Sequence, residues 1–270
     1  MTLEKKYKIL QEEIQKSQSL VIGFSGGVDS TFLVAVAQQV IGDKALAVTV
    51  ASPFCPEEEI AQAKAFAQRQ KLNFTILSLN PLADKQIALN PPDRCYYCKK
   101  LIFSHILAFA QNMGIEYVAD GTNAEDGGDY RPGLRALGEL KIISPLALAG
   151  FTKEDIRAMS KAMGLATWQK ESAACLASRI PYGEIITEEK LKRVEQAEHY
   201  LKQFAFSHLR VRSHGNLARL EVGQQDMSFF QDPQHRTAVT QELKKIGFSY
   251  VTVDLQGYRT GSLNEVLPKN

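Results

Sequence analysis

Six consecutive residues, Ser25-Gly26-Gly27-Val28-Asp29-Ser30, bring two hydroxyls, two glycines and a carboxylate together in one short stretch. They lie between the apolar run Leu20-Val21-Ile22-Gly23-Phe24 and another that begins at Thr31-Phe32-Leu33. That order predicts strand, tight turn and helix. A glycine backbone can approach a ligand closely because no Cβ intervenes. The first amides of the helix point into the turn, and the helix dipole favours an anion there. The string is not Gly-x-x-x-x-Gly-Lys-Ser/Thr, so the lysine of the common phosphate loop is absent. An ordinary strand-to-helix turn accounts for a lone glycine pair, but not for the hydroxyls and carboxylate around it.

A second constellation is the Cys-x-x-Cys of Arg94-Cys95-Tyr96-Tyr97-Cys98. Two cysteines three apart near a helix start can share a metal or form a redox pair. There is no second Cys-x-x-Cys and no paired histidines, so Cys175 is the natural third ligand, and Cys55, in Ser52-Pro53-Phe54-Cys55-Pro56, has no motif around it. Three thiolates suit a [4Fe–4S] cluster with one iron left open, and they are also compatible with zinc. The alternative makes Cys95 and Cys98 small buried hydrophobes. Near Cys175, the run Ser178-Arg179-Ile180-Pro181-Tyr182-Gly183 supplies a hydroxyl, a cation and a bend. Such a setting favours thiolate and can hold an anionic substrate.

A third group is basic. Arg210 and Arg212 are two apart, so on a strand they share a face, which His208 and His214 continue. A guanidinium fork binds phosphate oxygens in bidentate fashion, whereas the bland reading is a solvated strand face. Asp254 and Arg259 read as a structural ion pair.

The elements that must position these groups follow from periodicity. Leu3, Tyr7, Leu10 and Ile14 share one helix face. Strands at 20–24, 45–50 and 74–79 alternate with helices, which predicts a parallel sheet with ligands at the carboxyl ends of its strands. A helix over about 93–113 and a strand at 117–119 follow. Next come an acidic, Gly-rich loop over 120–133 and a last short strand at 142–146. Thr152 opens a helix with a capping pattern. The period is lost over 165–186, and the domain boundary is placed there, giving 1–186 and 187–270. The second domain reads as small and α+β: a helix from Thr187, strands near 209–212, 218–222 and 250–255, and a helix over 233–246. The chain has 270 residues, 44% apolar and 23% charged, with a net charge of +2. That balance argues against a general nucleic-acid surface. No apolar run reaches the ~18 residues a membrane span needs. No signal peptide is visible, and four cysteines without one suggest a reducing, cytoplasmic setting.

SGGVDS resembles the PP-loop of the ATP pyrophosphatase superfamily. That likeness implies an α/β fold (adenine nucleotide alpha hydrolase-like) with a parallel sheet flanked by helices. Taken with Asp120-Gly121-Thr122-Asn123, Asp129-Tyr130-Arg131-Pro132-Gly133, Cys175 to Gly183, Arg210-Val211-Arg212 and Glu198, the chain resembles LarE-type sulfur transferases along nearly its whole length. The resemblance implies that Mg-ATP adenylylates a carboxylate of pyridinium-3,5-biscarboxylic acid mononucleotide and that sulfur then displaces AMP, on the route to the nickel-pincer cofactor of lactate racemase. It implies that Ser25, Gly26, Gly27, Asp29 and Ser30 hold the pyrophosphate, with Asp29 near Mg²⁺. Arg210 and Arg212 would hold the substrate phosphate, and Ser178, Arg179 and Glu198 would line its pocket. In one subgroup the cysteine matching Cys175 gives up its own sulfur and becomes dehydroalanine. In another, three cysteines, here Cys95, Cys98 and Cys175, hold a [4Fe–4S] cluster, and this chain resembles that subgroup. The resemblance further implies a homo-hexamer, a small-molecule nucleotide substrate and no nucleic-acid or membrane partner. The rivals are an ammonia-using synthetase such as NAD synthetase, a tRNA thiolase, and a non-catalytic nucleotide-responsive metal sensor.

Overall fold

A computed structural model describes residues 1–128, 132–171 and 174–267. The chain divides into two compact units, Met1–Pro81 with Asp93–Ala173 and Leu82–Pro92 with Ala174–Asn270. The second thus takes in 174–186, which the periodicity groups with the first domain, and a short earlier excursion.

In the first unit, α1 (Leu3–Lys16) is capped by the Thr2 hydroxyl and buries Leu10 and Ile14, with Leu3 and Tyr7 packed beside them. β1 (Leu20–Gly23) leads into α2 (Val28–Ile41). β2 (Ala45–Ala51), α3 (Glu57–Arg69) and β3 (Asn73–Ser78) follow. The single-turn α4 (Lys85–Ala88) belongs to the excursion. The chain re-enters the first unit with α5 (Arg94–Asn112) and β4 (Tyr117–Ala119). The four strands are parallel in the order β3-β2-β1-β4. β1 sends its crossover to one side and β4 arrives on the other, so the strand order switches between these two, where α/β sheets hold their ligands.

The expected strand at 142–146 shrinks to a single bridge, Ala119 to Ile143. Pro145 lacks the amide a continuing ladder needs and instead starts α7 (Pro145–Leu148). The expected loop over 120–133 ends in an unforeseen helix, α6 (Pro132–Glu139). Asp129, Tyr130 and Arg131 of the quoted motif lie outside the described residues. α8 (Lys153–Ala162) has a complete capping box between Thr152 and Asp155. Asp155 also pairs with Lys6 of α1. Burial pushes the Asp155 carboxyl up, but the Lys6 ammonium and the Thr152 amide and hydroxyl outweigh it and hold it below its ordinary value. A lowered carboxylate stabilises the fold above its unfolded pKa, and that contribution is lost as pH falls through the folded value. Melting temperature should therefore drop in acid, and the gap between wild type and Lys6→Met should close there. A gap that stays constant down to strong acid would refute the pairing.

The second unit contains α9 (Glu188–Leu201), capped by the Thr187 hydroxyl, then β5 (Leu209–His214) and β6 (Leu217–Val222), followed by α10 (Pro233–Ile246) and β7 (Tyr250–Val253). Its sheet has the order β5-β6-β7, antiparallel then parallel. α9 packs on β5 and α10 on β7, burying Leu191, Val194, Leu201, Val211, Leu220 and Leu243. No described helix is long and apolar enough to cross a membrane.

Candidate active site

Gly23 ends β1, and the chain turns through Ser25–Gly27 before α2 begins. Phe24 is tied at both ends: its amide donates to the Val48 carbonyl at 2.8 Å, and its carbonyl accepts from the Thr49 hydroxyl at 2.6 Å. Gly26 has φ +71°, a conformation only glycine adopts without strain. Gly27 is the N-cap of α2 and offers no side chain. The two serines compensate. Ser30 Oγ accepts from the Ser25 amide at 3.2 Å and donates to the Gly27 carbonyl at 3.3 Å, and Ser25 Oγ accepts from the Gly27 amide at 3.3 Å. The hydroxyls therefore shape the loop as well as facing what it holds.

This loop forms one wall of a cavity of about 550 Å³ at the carboxyl ends of β1, β2 and β4. Ser25, Asp29 and Ser30 line it together with Cys55, Glu59, Cys95, Lys99 and Asp120, above apolar residues that include Ile60, Ile102 and Phe103. Asp29 pairs with Lys153 through one oxygen, while its Oδ1 is buried without a hydrogen-bond partner among the described residues. A half-buried carboxylate beside a cavity, with one oxygen unsatisfied, is suited to take up a cation or a donor. Asp120, 4% exposed, accepts from the Thr122 hydroxyl at 2.5 Å, the Ser144 hydroxyl at 2.7 Å and the Lys99 ammonium at 3.3 Å. Gly121 sits against the start of α2: an added Cβ would lie 3.0 Å from the Ser30 amide nitrogen. Gly121→Ala should therefore shift the loop and weaken nucleotide binding by about tenfold or more. Unchanged binding in a calorimetric titration would show that the loop yields freely.

Cys95 and Cys98 stand one turn apart in the first turns of α5, Cys95 exposed and Cys98 half-buried. The buried Arg94 guanidinium approaches Cys95 Sγ at 3.8 Å. Tyr96 is clamped by α6, since its hydroxyl donates to Glu139 at 2.6 Å and Arg135 stacks on its ring at 3.9 Å. Among the described residues no three His, Cys, Asp or Glu side chains form a ready metal site. Cys175 is exposed and belongs to the second unit, and its neighbours Ser172 and Ala173 lie outside the described residues. Cys55, which carries no motif around it, lines the cavity.

The second unit brings Ser178, Arg179, Glu198, Arg210 and Arg212 together. Arg179 forks onto Glu198 through Nε at 2.9 Å and Nη2 at 3.1 Å. Its Nη1 donates to the Ala174 carbonyl and the Ser178 hydroxyl, both at 2.9 Å. Arg212 is committed in the same way: Nε and Nη2 reach Glu221 at 3.0 and 2.9 Å, Nη1 the Ser178 carbonyl at 2.7 Å, and Nη2 also Ser262. Arg210 differs. Among the described residues it has no carboxylate partner; it donates to its neighbour Leu209's carbonyl at 2.6 Å and lies over the Tyr258 ring, which stacks on His208. Burial first, and then the Arg179 charge, pull the Arg210 guanidinium below its usual value. A bound anion would offset both penalties with an opposite charge. Glu221, which sequence reasoning passes over, is fully buried and is the pivot of this cluster, also holding Arg219. Lys153 and Lys170 likewise escape notice in the sequence, one hidden in a capping pattern and the other in the aperiodic stretch. Asp254 pairs with Arg259 at 3.5 Å, and also with Arg219.

Known proteins match part or all of the chain. A family model described as NAD synthase matches residues 2–91, the stretch that carries the loop. One chain of the glutamine-hydrolysing GMP synthase of Thermoplasma acidophilum is 32% identical over 193 residues, covering 66% of this chain and 61% of that protein. Other relatives span both units. An uncharacterised protein of Synechocystis sp. is 40% identical over 99% of this chain and 100% of its own length. The pyridinium-3,5-bisthiocarboxylic acid mononucleotide synthase of Lactiplantibacillus plantarum is 37% identical over 99% of this chain and 97% of its own. With the loop, the cysteines and the arginine cluster all inside that full-length match, the chain belongs to the family of pyridinium-3,5-bisthiocarboxylic acid mononucleotide synthases, the LarE family.

Proposed function

We propose that the protein is an ATP-dependent sulfur transferase that acts on pyridinium-3,5-biscarboxylic acid mononucleotide, in the biosynthesis of the nickel-pincer cofactor of lactate racemase. The observation that carries this reading is the SGGVDS loop closed on itself along the wall of a cavity that Asp29 also lines, with Asp29 Oδ1 buried and unpaired among the described residues.

A carboxylate is a poor electrophile and must be activated. One of its oxygens attacks the α-phosphorus of ATP, the bond from that phosphorus to the bridging oxygen breaks, and pyrophosphate leaves. The loop amides and the α2 N-terminus receive the charge that develops. Asp29 would hold Mg²⁺, which fits its orphaned oxygen, and the ion would neutralise phosphate charge. A sulfur nucleophile then adds to the acyl carbon, and AMP departs with the carboxylate oxygen. Arg210, which no described carboxylate holds, takes the substrate phosphate. Arg179 and Arg212, already forked onto Glu198 and Glu221, hold the pocket's shape, and this positioning speeds the step.

Cys95, Cys98 and Cys175 would hold a [4Fe–4S] cluster. None of the three forms a disulfide, and Arg94 packs its guanidinium against Cys95 Sγ at 3.8 Å. Such a cluster would supply metal-bound sulfide. The exposure of Cys175 also suits the other source, direct loss of its own sulfur to leave dehydroalanine. The enzyme works in the cytoplasm, where its thiols stay reduced, and assembles as a homo-hexamer, a state that light scattering checks.

Anaerobic purification, iron and sulfide analysis and a reaction with Mg-ATP and the dicarboxylate mononucleotide test the proposal. Pyrophosphate release with thiocarboxylate formation is expected, together with iron bound and the protein mass unchanged. Loss of H₂S from the mass at Cys175 would overturn the cluster in favour of the sacrificial route. ATP binding without pyrophosphate would overturn the enzyme reading itself.

A further inference from the structure

Lys170 follows a 3-10 turn, Ala166–Gln169, far along the chain from the nucleotide loop. Its Nζ nonetheless donates to the Gly26 carbonyl at 3.2 Å, to Glu59 at 2.5 Å and to Gln62 at 2.9 Å. Three acceptors satisfy all three ammonium donors. The strap that carries it is pinned from α8: Arg157 Nη1 reaches the Trp168 carbonyl at 2.6 Å and Nη2 the Lys170 carbonyl at 3.0 Å. Lys170 and Glu59 are each 19% exposed, so the pair is largely withdrawn from solvent. Lys170 is not among the residues that line the cavity, whereas Glu59 is.

The Gly26–Gly27 peptide is the least determined plane of the loop, because neither flanking residue has a Cβ to restrict its rotation. It is trans, so its carbonyl oxygen and its N–H point in opposite directions. Fixing the oxygen therefore fixes the hydrogen. Lys170 grips the oxygen, and the Gly27 N–H turns to Ser25 Oγ, which lines the cavity. If the peptide flipped, a carbonyl would replace the N–H against the cavity-lining Ser25, and an anion approaching that side would meet an acceptor in place of a donor.

We propose that Lys170 is a positioning residue that sets the Gly26–Gly27 peptide in its anion-receiving orientation, supplying from behind the loop the cation that the SGGVDS string itself lacks. The inference rests on reading that loop as the pyrophosphate cradle.

The test uses the full chain. Glycine labelled with ¹³C at the carbonyl and ¹⁵N at the amide selects Gly-Gly peptides, of which the sequence has two, 26–27 and 127–128. A Gly128→Ala variant assigns the second signal. In the wild type the Gly27 signal should be single and narrow. In Lys170→Met it should broaden or split, with thermal unfolding still cooperative. The KM for ATP should rise about ten- to a hundredfold, as for a lost hydrogen bond to a charged group. Lys170→Arg, which can reach the same acceptors, should recover a narrow signal and most of the affinity. Lys170→Gln replaces the methionine variant if that one does not fold. An unchanged Gly27 signal in a folded Lys170→Met protein overturns the proposal, even if ATP affinity falls, because Lys170 would then be touching phosphate directly. If no variant releases pyrophosphate but the Gly27 signal still depends on Lys170, the functional reading fails and the positioning role stands.

Discussion

Glu221→Ala lowers the stability of the second unit by about 3–5 kcal/mol, the cost of stripping one partner from a buried ion pair. Glu221 is 0% exposed and holds Arg212, Arg219 and the Ser262 hydroxyl. Its loss leaves the Arg212 guanidinium, 7% exposed, without a carboxylate. Hydrogen exchange of peptides spanning 209–222 reads the effect directly. The paired substitution Glu221→Leu with Arg212→Met should recover most of the loss, since an apolar pair of similar volume is often neutral there. A loss under about 1 kcal/mol for the single variant would mean that water solvates the arginine, and that the cluster is a surface network. The paired variant should also retain substrate binding if Arg210 is the phosphate ligand, and lose it if Arg212 is.

The second large effect is functional. Gly26→Ala places a side chain at φ +71°, and its Cβ would stand 3.3 Å from the Ala63 Cβ on α3. A left-handed residue costs about 1–2 kcal/mol, which a domain of this size tolerates. The loop responds by rotating the peptide that Lys170 and Ser25 hold. Pyrophosphate release should then fall by about a hundredfold or more, comparable to removing a donor from a preorganised anion hole. Gly114→Ala is the control: Gly114 has the same φ of +71° but nothing within 4 Å of an added Cβ, and it lies away from the cavity. It should cost stability and leave pyrophosphate release intact. Equal losses in both variants would show that strain alone, and not loop geometry, explains the result.

Sequence reasoning reaches the parallel sheet, the turn at Ser25 and the helix starting at Thr187 because each rests on local information. Periodicity marks a buried face, a glycine pair marks a turn, and a hydroxyl before acidic residues marks a cap. The helix at 132–139 is hidden by the Gly-rich loop before it, and the strand at 142–146 is over-read because its apolar residues pair only once. Among the site residues, the spacing of Arg210 and Arg212 is visible, but their inequality is not. Alternation cannot reveal that Glu221, on the neighbouring strand, claims one arginine and leaves the other. Lys153 and Lys170 reach the loop from 124 and 144 residues away in sequence, a separation that no local pattern encodes.

The excursion Leu82–Pro92 has a consequence for the order of synthesis. Asn90, fully buried, donates to the carbonyls of Ile180 and Pro181, and its own carbonyl accepts from the Gly183 amide at 2.9 Å. The Ala88 carbonyl accepts from the Ile186 amide at 2.8 Å. These groups leave the ribosome some 90 residues after Asn90 itself. The first unit can finish its sheet while this eleven-residue tongue awaits the segment it will hold, because domains fold as their residues emerge. A fragment beginning at 174 would keep the segment the tongue holds but lack the tongue itself. Supplying it as a separate peptide should rescue the folding of 174–270, as a missing staple would.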